Sequence, residues 1–394
     1  MRILLLSGEL VPERAGGVAT YTATIAPALA ARGHEVHVLS CAPEHSERDE
    51  THDGVAWHRR RLAPPERPRR LRRYQQSVLR LTTALTYRRE LGRLGLRFDV
   101  IETPEWLAES LLIGATTRIP IVVHLHTPLH VLFPFDVHKF GRDLRVADWL
   151  ERTAVRRASV VTSASALLAE TLKADGWLRQ EATIIPLPVD VDAWKPGRGV
   201  RETSPNVLVV GRLEPRKAPE VVVEAAEILT AEVPGLQLTF VGRSRGRRKR
   251  TPYGEWLAAL AERKGVAARF VPQIAHHDIA DLYAQARVLA VPSHFESFSI
   301  AALEAMACGR PVVYTSRVGA AEILRGTGAG TEIAPNDPHA MAAALRPFLI
   351  DEVAAQRAGD AAREVARTRL SPDIIAVQRE RSYQAALAHR KGKA

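Results

Sequence analysis

Residues Val291–Val313 read VPSHFESFSIAALEAMACGRPVV, and the rest of the chain is understood from them. Val288–Val291 is the end of a buried apolar strand, closed by Pro292-Ser293. The polar loop His294-Phe295-Glu296-Ser297 then leads into a helix of small apolar residues. Gly309 caps that helix, Pro311 blocks its continuation, and Val312-Val313-Tyr314 starts another strand. Two carboxylates lie in the stretch, Glu296 in the loop and Glu304 inside the helix. Between them the amides of Phe298, Ser299 and Ile300 open a helix and so lack intrahelical acceptors. Such an end attracts anions and hydroxylated ligands. The stretch reads as a ligand site.

The whole chain sets the frame for that site. Its 394 residues exceed one ordinary core, which implies two domains. Hydrophobic content of 46% and charged content of 25% describe a soluble globular protein. No apolar run approaches the roughly 20 residues needed to span a bilayer. MRILLLSGEL has too short an apolar core for a signal peptide and reads as a first buried strand. Cys41 and Cys308 suggest neither a disulfide framework nor a zinc site, so the expected setting is a reducing cytoplasm. The net charge of +11 is concentrated in Arg59–Arg61, Arg67–Arg73 and Arg243–Arg250. We read these patches as solvated basic faces, with contact to an anionic membrane, at the inner membrane face, as the alternative. Nothing resembles a zinc finger or an RRM signature, so no nucleic-acid partner is expected.

From the N-terminus, Arg2–Ser7 reads as a strand, Gly16-Gly17 precede a helix over Val18–Ala31, and Glu35–Ser40 is the next strand. Glycines where a strand's loop enters a helix allow a phosphate or sugar to approach the backbone. The segment Leu71–Leu94 is an amphipathic helix, expected to pack Val78, Leu79, Leu81, Leu85 and Leu91 on its own sheet rather than lie on a membrane. Ile119–His126 is a buried strand whose His124 and His126 share one face. A His at a strand's carboxyl end can exchange protons or hydrogen-bond a ligand; a structurally bonded His is the equal alternative.

Residues 186–199, rich in Pro, Val and Asp, read as a linker between a first domain, 1–190, and a second, 200–372. The second alternates strands at Asn206–Val210, Gln237–Val241, Ala268–Val271, Val288–Val291, Val312–Thr315 and Gly330–Ile333 with helical patterns. Residues 373–394 are expected to return as a helix over the first domain. The fold class is therefore α/β, with two Rossmann-like doubly wound domains facing across a cleft.

A second loop resembles a phosphate site. Val207–Leu213 is a strand ending in Gly211-Arg212, and a helix begins near Pro219. Arg212 and Lys217 flank the turn Glu214-Pro215-Arg216. A diphosphate there would meet a forked guanidinium and a compact ammonium together; a charged surface turn is the alternative. With Glu296 and Glu304 on the same sheet, the balance favours a nucleotide diphosphate whose hydroxyls are held by carboxylates.

These residues resemble glycosyltransferase family 4, with its GT-B architecture, over nearly the whole chain. Gly16-Gly17-Val18 and the helix before Gly33-His34-Glu35-Val36 match the family's N-terminal signature. Gly211–Lys217 matches its diphosphate loop. Glu296 and Glu304, followed by Ala305-Met306-Ala307, match its E-x7-E motif.

The resemblance implies a retaining transfer of a sugar from a nucleotide-diphosphate donor, a UDP-sugar before GDP-mannose, to an unidentified hydroxylated acceptor. It implies no metal and no cofactor. By the same resemblance Arg212 and Lys217 neutralise the leaving diphosphate, Glu304 holds the ribose and Glu296 contacts the donor sugar. The amides of Phe298, Ser299 and Ile300 lie nearby, His126 is the active-site His, and Gly16 and Gly17 admit phosphates and acceptor.

Ala218 departs from the family's usual Gly, which reads as minor because Pro219 starts the helix. Leu187-Pro188 replace a common Asn-Gly, implying a stiffer hinge. Two alternatives share the fold: a nucleotide-sugar 2-epimerase, and a non-catalytic protein that binds nucleotide-sugar or nucleic acid.

Overall fold

A computed structural model describes residues 1–10, 16–62, 73–135, 141–194, 204–248, 250–272, 274 and 276–391. The chain divides into two units, Met1–Pro188 with Pro372–Ala394, and Val189–Ser371.

In the first unit the strands are β1 (Arg2–Leu6), β2 (Glu35–Ala42), β3 (Arg48–His52), β4 (Val55–Arg61), β5 (Val100–Pro104), β6 (Ile121–Leu125), β7 (Val160–Ser163) and β8 (Thr183–Ile184). They form one sheet in the order β3-β4-β2-β1-β5-β6-β7-β8, parallel throughout except for the β3–β4 pair. Ile3, Leu4, Val100, Val122 and Val123 are fully buried, as expected of strands covered on both faces. The chain leaves β1 toward β2 and returns on the other side at β5. The loops after β1 and β5 therefore lie at the switch point, where doubly wound sheets bind ligands.

The helix expected over Leu71–Leu94 begins at Gln75, and residues 63–72, which hold most of the Arg67–Arg73 patch, lie outside the described residues. Its packing meets the expectation at Leu91, which is buried, and departs from it at Leu81 and Leu85. The buried face carries Ser77, Arg80, Thr83, Tyr87 and Glu90, while Leu81 and Leu85 are 42% and 59% exposed. The reason is an ion pair without solvent contact. Arg80 donates through Nε (2.9 Å) and Nη2 (2.6 Å) to Glu151, on the helix Arg142–Arg156. Glu151 also accepts the amides of Leu107 (3.3 Å) and Leu129 (3.1 Å). Each partner satisfies the other, so the seam tolerates buried charge that either residue alone could not sustain.

The second unit contains β9 (Asn206–Val210), β10 (Gln237–Val241), a short hairpin of β11 (Arg247–Arg248) and β12 (Thr251–Pro252), then β13 (Ala268–Val271), β14 (Val288–Val291), β15 (Val312–Thr315) and β16 (Gly330–Ile333). The six longer strands have the ranges read from the sequence. They form a parallel sheet in the order β13-β10-β9-β14-β15-β16. Its switch point lies between β9 and β14, so the Gly211–Lys217 and Pro292–Ser299 loops emerge side by side.

Two segments expected at the domain boundary are docked. Val189 donates its amide to Leu370 O (2.9 Å), and Arg363 donates to Val191 O (3.2 Å) and Trp194 O (3.0 Å). Val189–Trp194 is thus part of the second unit rather than free linker; residues 195–203 lie outside the described residues. The helix Pro372–Lys391 packs on the first unit, where Arg379 and Tyr383 are fully buried.

Candidate functional site

In the second unit, Gly211 follows β9 at φ 130, a conformation that glycine adopts without strain. A Cβ there would stand 2.8 Å from Lys217 Nζ, so the glycine also makes room for the ammonium. Pro215–Lys217 forms a single helical turn, and the helix proper runs over Glu220–Leu229. Ala218 must therefore make the bend itself, at φ 46 and ψ 44. The exchange of glycine for alanine is not minor, since a left-handed non-glycine residue costs about 1–2 kcal/mol. Ser299, which precedes the helix Ile300–Ala307, is likewise held at φ 98. Backbone strain sits at both loop-to-helix junctions of the site.

The partners of Glu296 come from the β9 loop. Lys217 Nζ is 2.5 Å from Glu296 Oε1, Arg216 Nη1 is 3.4 Å from Oε2, and Ser293 donates to Oε1 (3.2 Å). Burial alone would raise the Glu296 carboxyl, but Lys217 and Arg216 outweigh it and hold it at about 2. Arg216 is almost fully buried, and its fork closes on Glu214 (3.1 and 2.7 Å) while Nη1 donates to Phe295 O (2.6 Å). Arg212 is the exposed cation of the loop, with its side chain 44% exposed and Nη2 3.4 Å from Glu214. Glu304, one helical segment on, accepts from Tyr283 Oη (2.7 Å). The amides of Phe298, Ser299 and Ile300 stand at the N-terminal end of the helix that carries it. The loop holding Glu296 is fixed from its other side, where Glu296 exchanges backbone bonds with Arg317 and Gly319, and Phe298 O accepts from Ala320.

The basic hairpin β11–β12 is tied to the same loop. Leu213 donates to Arg243 O and accepts from Arg245 N (2.9 Å each), which sets Arg243 and Arg245 beside Arg212. Lys249 lies outside the described residues.

In the first unit, His124 and His126 do share a face, with ring centroids 4.7 Å apart, and both meet the ring of Tyr21. A small cavity lined by Leu5, Val18, Tyr21, Glu102 and His126 opens beside them. Arg379, from the C-terminal helix, donates to His124 Nε2 (2.8 Å) and to Thr162 Oγ1 (2.9 Å). Since guanidinium only donates, His124 Nε2 is an acceptor and its proton resides on Nδ1, facing Thr162 Oγ1 (3.0 Å). His124 is therefore a structural residue. Glu102 balances Arg379 at 3.7 Å and accepts from the hydroxyls of Tyr21 and Tyr383. Glu105 fixes the backbone of the site loop, accepting the amides of His126 (2.8 Å) and Thr127 (2.7 Å). Gly16 caps the helix Gly17–Ala31, and a Cβ on it would strike the Glu9 carboxylate.

Burial, with Arg379 nearby, pushes the His126 imidazole from 6.5 down to about 3. Unfolded chains take up this proton below pH 6.5 and the folded one refuses it. The contribution of His126 to stability is thus complete above 6.5 and is lost as pH falls toward about 3. The expected NMR result is that the His124 and His126 ring resonances stay fixed from about pH 8 to about pH 5. The Asp148 and Asp175 carboxylates beside His130 raise its imidazole instead. Arg379→Met should raise His126 only in part, because burial, the larger cause, remains. A wild-type His126 that titrates near its ordinary value would refute this electrostatic picture.

The structure brings Arg212, Lys217, Glu296 and Glu304 to one end of one sheet, and places His126, Gly16 and Gly17 in the other unit. Sequence reasoning passed over Arg216, Tyr283 and Arg379. Arg216 was visible in the turn but carried no sign of its burial. Arg379 lies 253 positions from His126 and gave none.

Comparison with known proteins bears on the whole chain. The family model for glycosyltransferase family 4 matches residues 15–193, and that for glycosyl transferases group 1 matches residues 190–365. The chain is 29% identical to a glycogen synthase of Mycobacterium tuberculosis, covering 98% of this chain and 95% of the relative. It is 32% identical to a D-inositol 3-phosphate glycosyltransferase of Acidothermus cellulolyticus, covering 85% and 78%. Among solved structures, sucrose-phosphate synthase of Thermosynechococcus elongatus superposes with a TM-score of 0.79 at 24% identity, covering 98% and 99%. HepE of Anabaena with UDP-glucose superposes at 0.73 and 20% identity, covering 98% and 100%.

Proposed function

Because the chain belongs to glycosyltransferase family 4 and is a glycosyltransferase of GT-B architecture, we infer that it moves a sugar from a nucleotide-diphosphate donor to a hydroxylated acceptor with retention. The observation that carries this reading is the Lys217–Glu296–Arg216 constellation at the switch point of the second sheet. As the glycosidic bond breaks, negative charge accumulates on the departing diphosphate. Lys217 and Arg212 receive that charge, and this interaction strengthens toward the transition state. Glu296 sits 2.5 Å from the Lys217 ammonium, so a carboxylate for sugar hydroxyls and a cation for phosphate are held in one geometry. Glu304 accepts from the ribose, and the amides of Phe298 to Ile300 add donors beside it. His126, neutral at working pH, offers a hydrogen bond to the sugar without carrying charge. The transfer is a front-face displacement through an oxocarbenium-like state and uses no metal. We assign UDP as the nucleotide ahead of GDP, supported by the likeness to HepE solved with UDP-glucose.

Thermal unfolding in the presence of nucleotides tests the reading. A ligand at a hundredfold its Kd stabilises the native state by about 2.7 kcal/mol. UDP should raise the unfolding midpoint of the second unit, GDP less, and Lys217→Ala should remove the effect. If neither nucleotide shifts the wild type, the donor assignment fails.

A further inference from the structure

The helices Gln75–Leu94 and Arg142–Arg156 lie side by side in the first unit. Asp143 accepts the amides of Gln76 and Ser77 (2.9 Å each), Arg80 pairs with Glu151, and Ala84 clusters with Leu150 and Ala154. Outside that seam both helices turn large apolar side chains to solvent. Leu81 and Leu85 are 42% and 59% exposed, and Val146 and Trp149 are 41% and 60% exposed. The spacings of four and three residues place each pair in one outward stripe.

Charge on these helices is sorted in the opposite sense. Together they carry four carboxylates, and each is turned inward or engaged. Glu90 and Glu151 are buried, Asp143 caps the neighbouring helix, and Asp148 faces His130 at 3.2 Å. Arg89, Arg142 and Arg145 are exposed. An outward face of Leu, Val and Trp framed by guanidinium groups, with its carboxylates withdrawn, has the composition of a helix face seated in a lipid–water interface. A second copy of the chain fits poorly, because a two-fold contact would set these arginines against one another.

We propose that this face docks the protein on an anionic bilayer, with Leu85 and Trp149 entering the acyl boundary and the arginines meeting lipid phosphates. The apolar component distinguishes the docking from attraction by basic patches alone. It is reversible and peripheral, since among the described residues no helix is long and apolar enough to cross a membrane.

Co-sedimentation of the full chain with vesicles of phosphatidylcholine, with and without phosphatidylglycerol, tests the proposal. The wild type should pellet with the anionic vesicles only. Leu85→Gln/Trp149→Gln should bind them at least about tenfold more weakly, the loss expected when two apolar side chains no longer leave water. Because both residues are exposed, the unfolding midpoint and its shift by UDP should be unchanged, which separates this result from the donor assignment. Three results would overturn the proposal: no pelleting of the wild type, equal binding by the double variant, or a wild-type dimer in light scattering that the double variant abolishes.

Discussion

Lys217→Ala is expected to lower kcat by about 10²–10³-fold, the loss typical when one preorganised group facing developing charge is removed. The ammonium sits over Gly211 and pairs with Glu296, which retains Arg216 at 3.4 Å and Ser293 at 3.2 Å. The loop should therefore keep its shape, and the unfolding midpoint should stay close to the wild type. Initial-rate kinetics with a UDP-sugar, alongside thermal unfolding, check both halves of the statement. Near-normal turnover would show that Lys217 does not face the diphosphate. A collapse in stability would show instead that the Lys217–Glu296 pair is structural.

Arg216→Ala should do the reverse, damaging the fold first and activity as a consequence. Its guanidinium joins both loops of the switch point at three places, through Glu214, Phe295 O and Glu296. Removing it leaves the buried Glu214 without its fork and strips a donor from the Phe295 carbonyl. Deleting one partner of a buried ion pair costs about 3–5 kcal/mol, most of it the penalty of the charge left behind. Denaturant unfolding of the second unit should register that loss. Arg216→Lys should recover only part of it, because an ammonium cannot reproduce the fork. If Arg216→Ala were as stable as the wild type, the Lys217–Glu296 pair and backbone contacts such as His294 N to Arg216 O (2.9 Å) would suffice to hold the two loops together.

The contrast between these residues shows where the sequence was legible. Local pattern located β9 and β14, the glycine before Arg212 and the E-x7-E spacing, because strand alternation, caps and turn chemistry are written within a few residues. It also placed His124 and His126 on one face, since that follows from the period of a strand. It did not say which histidine is structural. That depends on Arg379, whose guanidinium takes the lone pair of His124. The apolar periodicity of Gln75–Leu94 misled at Leu81 and Leu85, though not at Leu91, for a related reason. Hydrophobic spacing identifies a helix face but not its neighbour, and Glu151 made Arg80 the residue to bury.

By itself, then, the sequence determined the α/β alternation, the two domains, the family and the loops that carry Arg212, Lys217, Glu296 and Glu304. Tertiary structure decided the pairing: Lys217 and Arg216 with Glu296, Tyr283 with Glu304, Arg379 with His124. It also decided the strain at Ala218 and the outward turn of Leu85 and Trp149. The physical reason is range. Backbone geometry and hydrophobic period act over a few residues and are readable along a chain. Burial and charge pairing act between groups far apart in sequence, and they settle which polar side chain is spent on the fold and which is left for a ligand.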